Sequence, residues 1–123
     1  MEPFQKKVLV VNDSSATRKL VAVILRGQGY KILDARDGLE ALLKIDAKKP
    51  DLIILDDILP KMNGYQVLYN IKTNRNFRLV PVIMLASNDG VISKLKGRLA
   101  GAKAYLSTPF DPKELIDTVS KYI

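Results

Sequence analysis

The sequence predicts an α/β fold: a doubly wound parallel sheet with helices on both faces. Two observations point there. Short apolar runs alternate with amphipathic helical stretches five times along 123 residues, and that order, with short links, builds a parallel sheet covered on both sides. The residues of chemical interest also fall just after the apolar runs, at Asn12 and Asp13, Asp56, Ala86 with Ser87, and Ser107 with Thr108. Open α/β sheets bind ligands at that edge.

The elements follow in order. Lys7-Val8-Leu9-Val10-Val11-Asn12 is nearly continuous and valine-rich, the mark of a strand buried on both faces. Ser14 or Ser15 caps the next helix. Ala16, Leu20, Val23 and Ile24 form its apolar stripe, and Gly27 and Gly29 end it. Tyr30 to Ala35 is a more polar strand, so it is placed at an edge. A helix through Leu39, Leu42 and Leu43 stops before Pro50, and Leu52 to Asp56 is the third strand. After Gly64 a helix turns Val67, Leu68 and Ile71 inward. Pro81 to Ala86 is the fourth strand. Val91, Ile92, Leu95 and Leu99 make the next helical stripe, with Lys94, Lys96 and Arg98 outward, and Ala104-Tyr105-Leu106 is a short fifth strand. Asp111-Pro112-Lys113-Glu114 opens the last helix with a cap, a proline at the first helical position and a following glutamate. Leu115, Ile116, Val119, Tyr122 and Ile123 carry its buried face.

Composition narrows the chemistry. With neither cysteine nor histidine, disulfides, thiolate metal sites, imidazole ligands and a histidine base are all excluded. The length suits one domain, residues 1–123. No run reaches transmembrane length, and the N-terminus passes into a strand without a signal-peptide pattern, so a soluble cytoplasmic protein is expected, with no membrane partner. The formal net charge is +7. Its Lys and Arg residues are spread along the chain with no basic arm and no recognition helix, so direct nucleic-acid binding is not expected. An acidic protein partner fits better.

Asp56 is the central residue. It ends an apolar run and is followed by Pro60 and Gly64, so it sits where the backbone leaves the sheet and side chains reach solvent. A carboxylate there can bind a cation, act as a base or act as a nucleophile. The plainer reading, a carboxylate capping the turn, loses ground because of the downstream Pro-x-x-x-Gly. Asp13 ends the first strand in the same way, so one shared cleft is expected. It could also be a simple helix cap. By strand alternation Asp57 points away from Asp56.

The chain resembles the CheY-like receiver domain of bacterial two-component response regulators over its full length. The resemblance rests on Val10-Val11-Asn12-Asp13-Ser14, on Asp56 with Pro60 and Met62-Asn63-Gly64, on Pro81-Val82-Ile83-Met84-Leu85, and on Tyr105-Leu106-Ser107-Thr108-Pro109-Phe110. Asn88-Asp89-Gly90, Lys94, Lys96-Gly97-Arg98, Gly101 and Tyr105-Leu106 look like the stand-alone receivers of pilus-motility and phototaxis pathways. The resemblance implies a flavodoxin-like sheet of order 2-1-3-4-5. It implies a phosphoacceptor signalling domain rather than an enzyme, with at most Mg²⁺-dependent self-phosphorylation and self-dephosphorylation. A histidine kinase or phosphotransfer protein would donate a phosphoryl group to Asp56. Asp13, Asp56 and the Ile58 backbone carbonyl would hold Mg²⁺, with Asn12 acting through water. A downstream protein would bind the face carrying Lys94, Arg98, Lys103 and Tyr105.

Three positions depart from the family pattern. The first family acid is Asn12, the switch hydroxyl is Ala86 (Ser87 is one residue late), and the family lysine is Thr108. Three acids and a lysine sum to −2, and Asp13 with Asp56 also sum to −2, so the changes at Asn12 and Thr108 are read as compensating. Two functions stay open: a phosphorylated switch, and a pseudo-receiver that binds its partner without phosphate. In the second, Tyr105 is simply an edge aromatic packed on the last helix. A flavodoxin-like flavin protein is a remote third, since Asp13 would repel the flavin phosphate and no tryptophan is present.

Overall fold

The computed structural model describes residues 5–86, 95–98 and 100–123. Five strands form one parallel sheet: β1 (Lys7–Val11), β2 (Lys31–Ala35), β3 (Leu52–Asp56), β4 (Val82–Ala86) and β5 (Ala104–Ser107). Their order is β2-β1-β3-β4-β5, as the family resemblance implied, with the more polar β2 at an edge. The helices are α1 (Ser15–Arg26), α2 (Gly38–Lys48), α3 (Gly64–Thr73) and α4 (Pro112–Tyr122), and residues 95–98 are helical. Among the described residues no helix is long and apolar enough to cross a membrane.

Strand alternation divides the interior in two. Leu9, Val11, Ile53, Leu55 and Met84 face one side and pack on Ala41, Ile45, Val67, Leu68 and Ile71 of α2 and α3. Val8, Val10, Leu52, Ile54, Ile83 and Leu85 face the other, against Val21, Leu25, Leu115 and Val119 of α1 and α4. Successive strand residues point to opposite faces, so a run buried on both faces must be apolar throughout. Each fully buried aliphatic side chain contributes about 1.5–3 kcal/mol.

Two helices are rotated from the expected phase. On α1 the buried residues are Val21, Ala22 and Leu25, whereas Ala16 is exposed and Leu20 and Val23 are 53% and 68% exposed. The stretch from Leu20 to Leu25 is apolar all round, so spacing alone does not set its phase. On α2 the buried face is Gly38, Ala41 and Ile45; Leu39 and Leu43 face solvent. Small residues win there because α2 lies close to α3: a Cβ on Gly38 would meet Val67 Cγ2 at 2.7 Å. Leu95, expected inward, is exposed. Val91, Ile92 and Leu99 lie outside the described residues.

The helix caps match local sequence. Ser14 Oγ accepts from Thr17 N, and Asp111 accepts from Lys113 N with Pro112 next in line. Asn63 and Gln66 form a reciprocal capping box on α3.

Candidate functional site

The carboxyl ends of β1 and β3 are neighbours, with Val11 opposite Leu55. Asp56 pairs in register with Leu85 of β4, and Ala86 with Ser107 of β5. This brings Asn12, Asp13, Thr17, Asp56, Ile58 and Thr108 into one open cleft of about 240 Å³. Two expected site residues, Ser87 and Lys94, lie outside the described residues. Arg98 and Lys103 are exposed. The half-buried Tyr105 packs against the α2–α3 core; a Cβ on Gly97 would lie 3.2 Å from its ring.

Asp56 sits half-buried at the last position of β3. Its pKa is pushed up from 3.8 to about 7. Burial is the main cause; the Asp57 carboxylate adds to it, Asp13 adds less, and the Ile58 N–H works against it. Asp57 does not point away. β3 ends at Asp56, so strand alternation stops there and the next side chain turns back toward it. Burial raises the pKa of Asp57 too, while a shared hydrogen bond with Asp56 lowers it. Asp57 Oδ1 is buried with no hydrogen-bond partner. Both carboxyls are therefore harder to ionise than an exposed aspartate.

The turn after Asp56 depends on Gly64. Its N–H donates to Asp57 O at 2.9 Å. A Cβ there would lie 2.1 Å from Asp56 O and 2.7 Å from Asp57 Cα. The glycine of the Pro-x-x-x-Gly pattern is thus demanded by closeness of backbone to backbone.

On the β1 side, Asn12 is only 5% exposed. Its N–H donates to Ala35 O at 3.0 Å and its Oδ1 accepts from Ser14 N at 2.9 Å. Asp13 is exposed, and Ser14 rather than Asp13 caps α1. Thr108 donates its N–H to Ala86 O at 2.7 Å.

Sequence reasoning missed Arg18. Its Nη1 donates to Asn12 O at 2.6 Å, and its Nε to Asp34 Oδ2 at 3.2 Å. Lys44 joins the same carboxylate at 3.8 Å and reaches Glu40 at 3.8 Å. One signal was available: a cation in the opening turns of a helix opposes the helix dipole and needs another reason to be there.

The donors in the cleft are hard oxygens crowded by uncompensated negative charge, and this fits Mg²⁺. That ion takes one or two carboxylates and keeps several waters. Among the described residues no group of three acidic side chains is placed to hold a metal ion; the carboxylates lining the cleft are Asp13 and Asp56.

Comparison with known proteins agrees with this geometry. The family model for the response regulator receiver domain matches residues 8–120. The chain belongs to that family. Receivers are signalling domains of two-component systems. This receiver is 38% identical over 117 residues to protein PilG of Pseudomonas aeruginosa, covering 95% of the chain and 87% of PilG. It is also 38% identical over 110 residues to the alkaline phosphatase synthesis transcriptional regulatory protein PhoP of Bacillus subtilis, spanning 45% of that longer protein. Among solved structures, Vibrio cholerae chemotaxis protein CheY4 superposes with a TM-score of 0.91 at 32% identity, over 97% of this receiver and 99% of CheY4. The receiver domain of Francisella response regulator 1452 gives 0.89 at 30% identity, over 96% of each chain.

Proposed function

We propose that this receiver accepts a phosphoryl group on Asp56 from a histidine kinase or phosphotransfer protein and signals by binding a downstream protein. The observation that carries this reading is one cleft holding Asp56, Asp13, Ile58 and Thr108 at the carboxyl edge of the sheet. An Asp56 carboxylate oxygen attacks the phosphorus of a phosphohistidine. The new P–O bond forms as the P–N bond breaks, and the leaving imidazole nitrogen keeps the electron pair. Asp13, Asp56 and the Ile58 carbonyl are the residues that would hold Mg²⁺, which would supply charge neutralisation for the phosphoryl oxygens. Asn12 has one Oδ1 lone pair left for a metal-bound water. Thr108 offers the phosphoryl group a hydroxyl where the family uses a lysine. The face formed by residues 95–98, β5 and α4 carries Arg98, Lys103 and Tyr105, and suits an acidic partner.

Incubated with Mg²⁺ and acetyl phosphate, the protein is expected to gain one phosphoryl group by intact mass, and Asp56→Asn none. No gain, beside an ordinary receiver that labels normally, sinks the reading.

Ala86 supports the alternative of a pseudo-receiver. A methyl group at that position cannot hydrogen-bond a phosphoryl oxygen, so the phosphorylated and free forms differ less in what they present to Tyr105. Partner binding that is equal for the wild type and Asp56→Asn would favour this second reading.

Charge compensation makes its own prediction. Asn12→Asp alone takes the site charge from −2 to −3, and Thr108→Lys alone takes it to −1. The pair is expected to label faster than either single variant in the same mass assay. A single variant that labels as fast as the pair refutes compensation.

A further inference from the structure

We infer that Arg18 is a positioning residue for the cation site: its guanidinium fixes the Asn12–Asp13 peptide and, through it, the Asp13 carboxylate. This rests on the reading of Asp13 and Asp56 as Mg²⁺ donors. Arg18 is a poor choice for its place unless it has such a task. It lies in the opening turns of α1, where the helix dipole disfavours a cation. It is also mostly buried, with 16% of its side chain exposed, which costs a long side chain its rotamer freedom.

The geometry shows what holds it there. A planar guanidinium donates in fixed directions. Nε is spent on Asp34 Oδ2 at 3.2 Å, which orients the plane, and Nη1 then meets Asn12 O at 2.6 Å. That carbonyl belongs to the peptide whose N–H is on Asp13. The preceding peptide is held by Asn12 N to Ala35 O at 3.0 Å, and the following turn by Ser14 N to Asn12 Oδ1 at 2.9 Å. Arg18 is thus the donor that holds the Asn12–Asp13 peptide by its carbonyl. Asp13 itself is exposed, so packing does little to orient it. Mg²⁺ demands near-ideal octahedral geometry, and groups that orient metal ligands tune affinity by about 10–100-fold.

Mg²⁺ titration by calorimetry on the wild type, Arg18→Met, Arg18→Lys and Asp13→Asn tests this. Arg18→Met keeps the bulk but cannot donate, and its Kd is expected to rise on the order of ten-fold. Arg18→Lys can reach one acceptor but not both at fixed angles, so its Kd falls in between. Labelling by acetyl phosphate is expected to need correspondingly more Mg²⁺ in Arg18→Met, yet to reach the wild-type rate within about two-fold at saturating Mg²⁺. A general structural defect would lower the saturated rate instead. A wild-type Kd in Arg18→Met overturns the inference. If that variant does not fold, a wild-type Kd in Arg18→Lys overturns it. When the wild type binds Mg²⁺ and Asp13→Asn does not, such a result removes the Arg18 role alone. A wild type that binds no Mg²⁺ removes both the role and the site reading.

Discussion

Gly64→Ala is expected to destabilise the fold by about 2–4 kcal/mol and to abolish phosphoryl uptake on Asp56. The added Cβ would lie 2.1 Å from Asp56 O and 3.0 Å from Asp56 C. Both atoms are backbone, so no side chain can swing aside. Either α3 retreats from the sheet or the end of β3 shifts, and each outcome displaces Asp56. Gly38→Ala is the control. Its new methyl would meet the Val67 and Met62 side chains, which can adjust, and the expected cost is nearer 1 kcal/mol. Thermal melting checks the first part: Gly64→Ala should lose on the order of 10 °C. Intact-mass labelling at a temperature where both variants are folded checks the second. A Gly64→Ala protein that labels like Gly38→Ala would show that the acceptor tolerates the shift.

Asp56→Asn is expected to stabilise the metal-free protein at pH 8 by about 1–2 kcal/mol, the value left after discounting a half-exposed site for solvent screening. The sign follows from the raised pKa. The folded state holds the Asp56 proton up to about pH 7, against 3.8 ordinarily. This group's stabilising contribution is therefore full below about pH 4 and is lost as pH rises through 7. Asparagine stays neutral and escapes that loss. The melting temperature of Asp56→Asn should exceed the wild type's by roughly 5 °C at pH 8, and the gap should close at pH 4. Saturating Mg²⁺ should also close it by stabilising the wild type. A gap that does not change between pH 4 and pH 8 would contradict this account.

The sheet and its order were readable because each strand is a short apolar run and the family motifs span the chain. The cleft was readable for a related reason: parallel strands deliver their carboxyl ends to one edge, so Asp13 and Asp56 had to meet there. Helix phase was not readable where the apolar residues of α1 run all round, from Leu20 to Leu25. Asp57 was misplaced because strand periodicity was carried one residue past the end of β3. Arg18 left only a weak mark, a cation early in a helix, because its partners, a main-chain carbonyl and a carboxylate on β2, are brought to it by the fold.

The division of the interior has a consequence for how the chain is made. Val8 and Val10 of β1 and Val21 and Leu25 of α1 share their core with Leu115 and Val119 of α4. The other core, beneath α2 and α3, draws mostly on residues between Leu9 and Met84. As the chain leaves the ribosome N-terminus first, the α2–α3 side can close while the α1 side still waits for α4. Until then, the part of that sheet face covered by Leu115 and Val119 is open apolar surface. Covering that face therefore waits for residues 112–122.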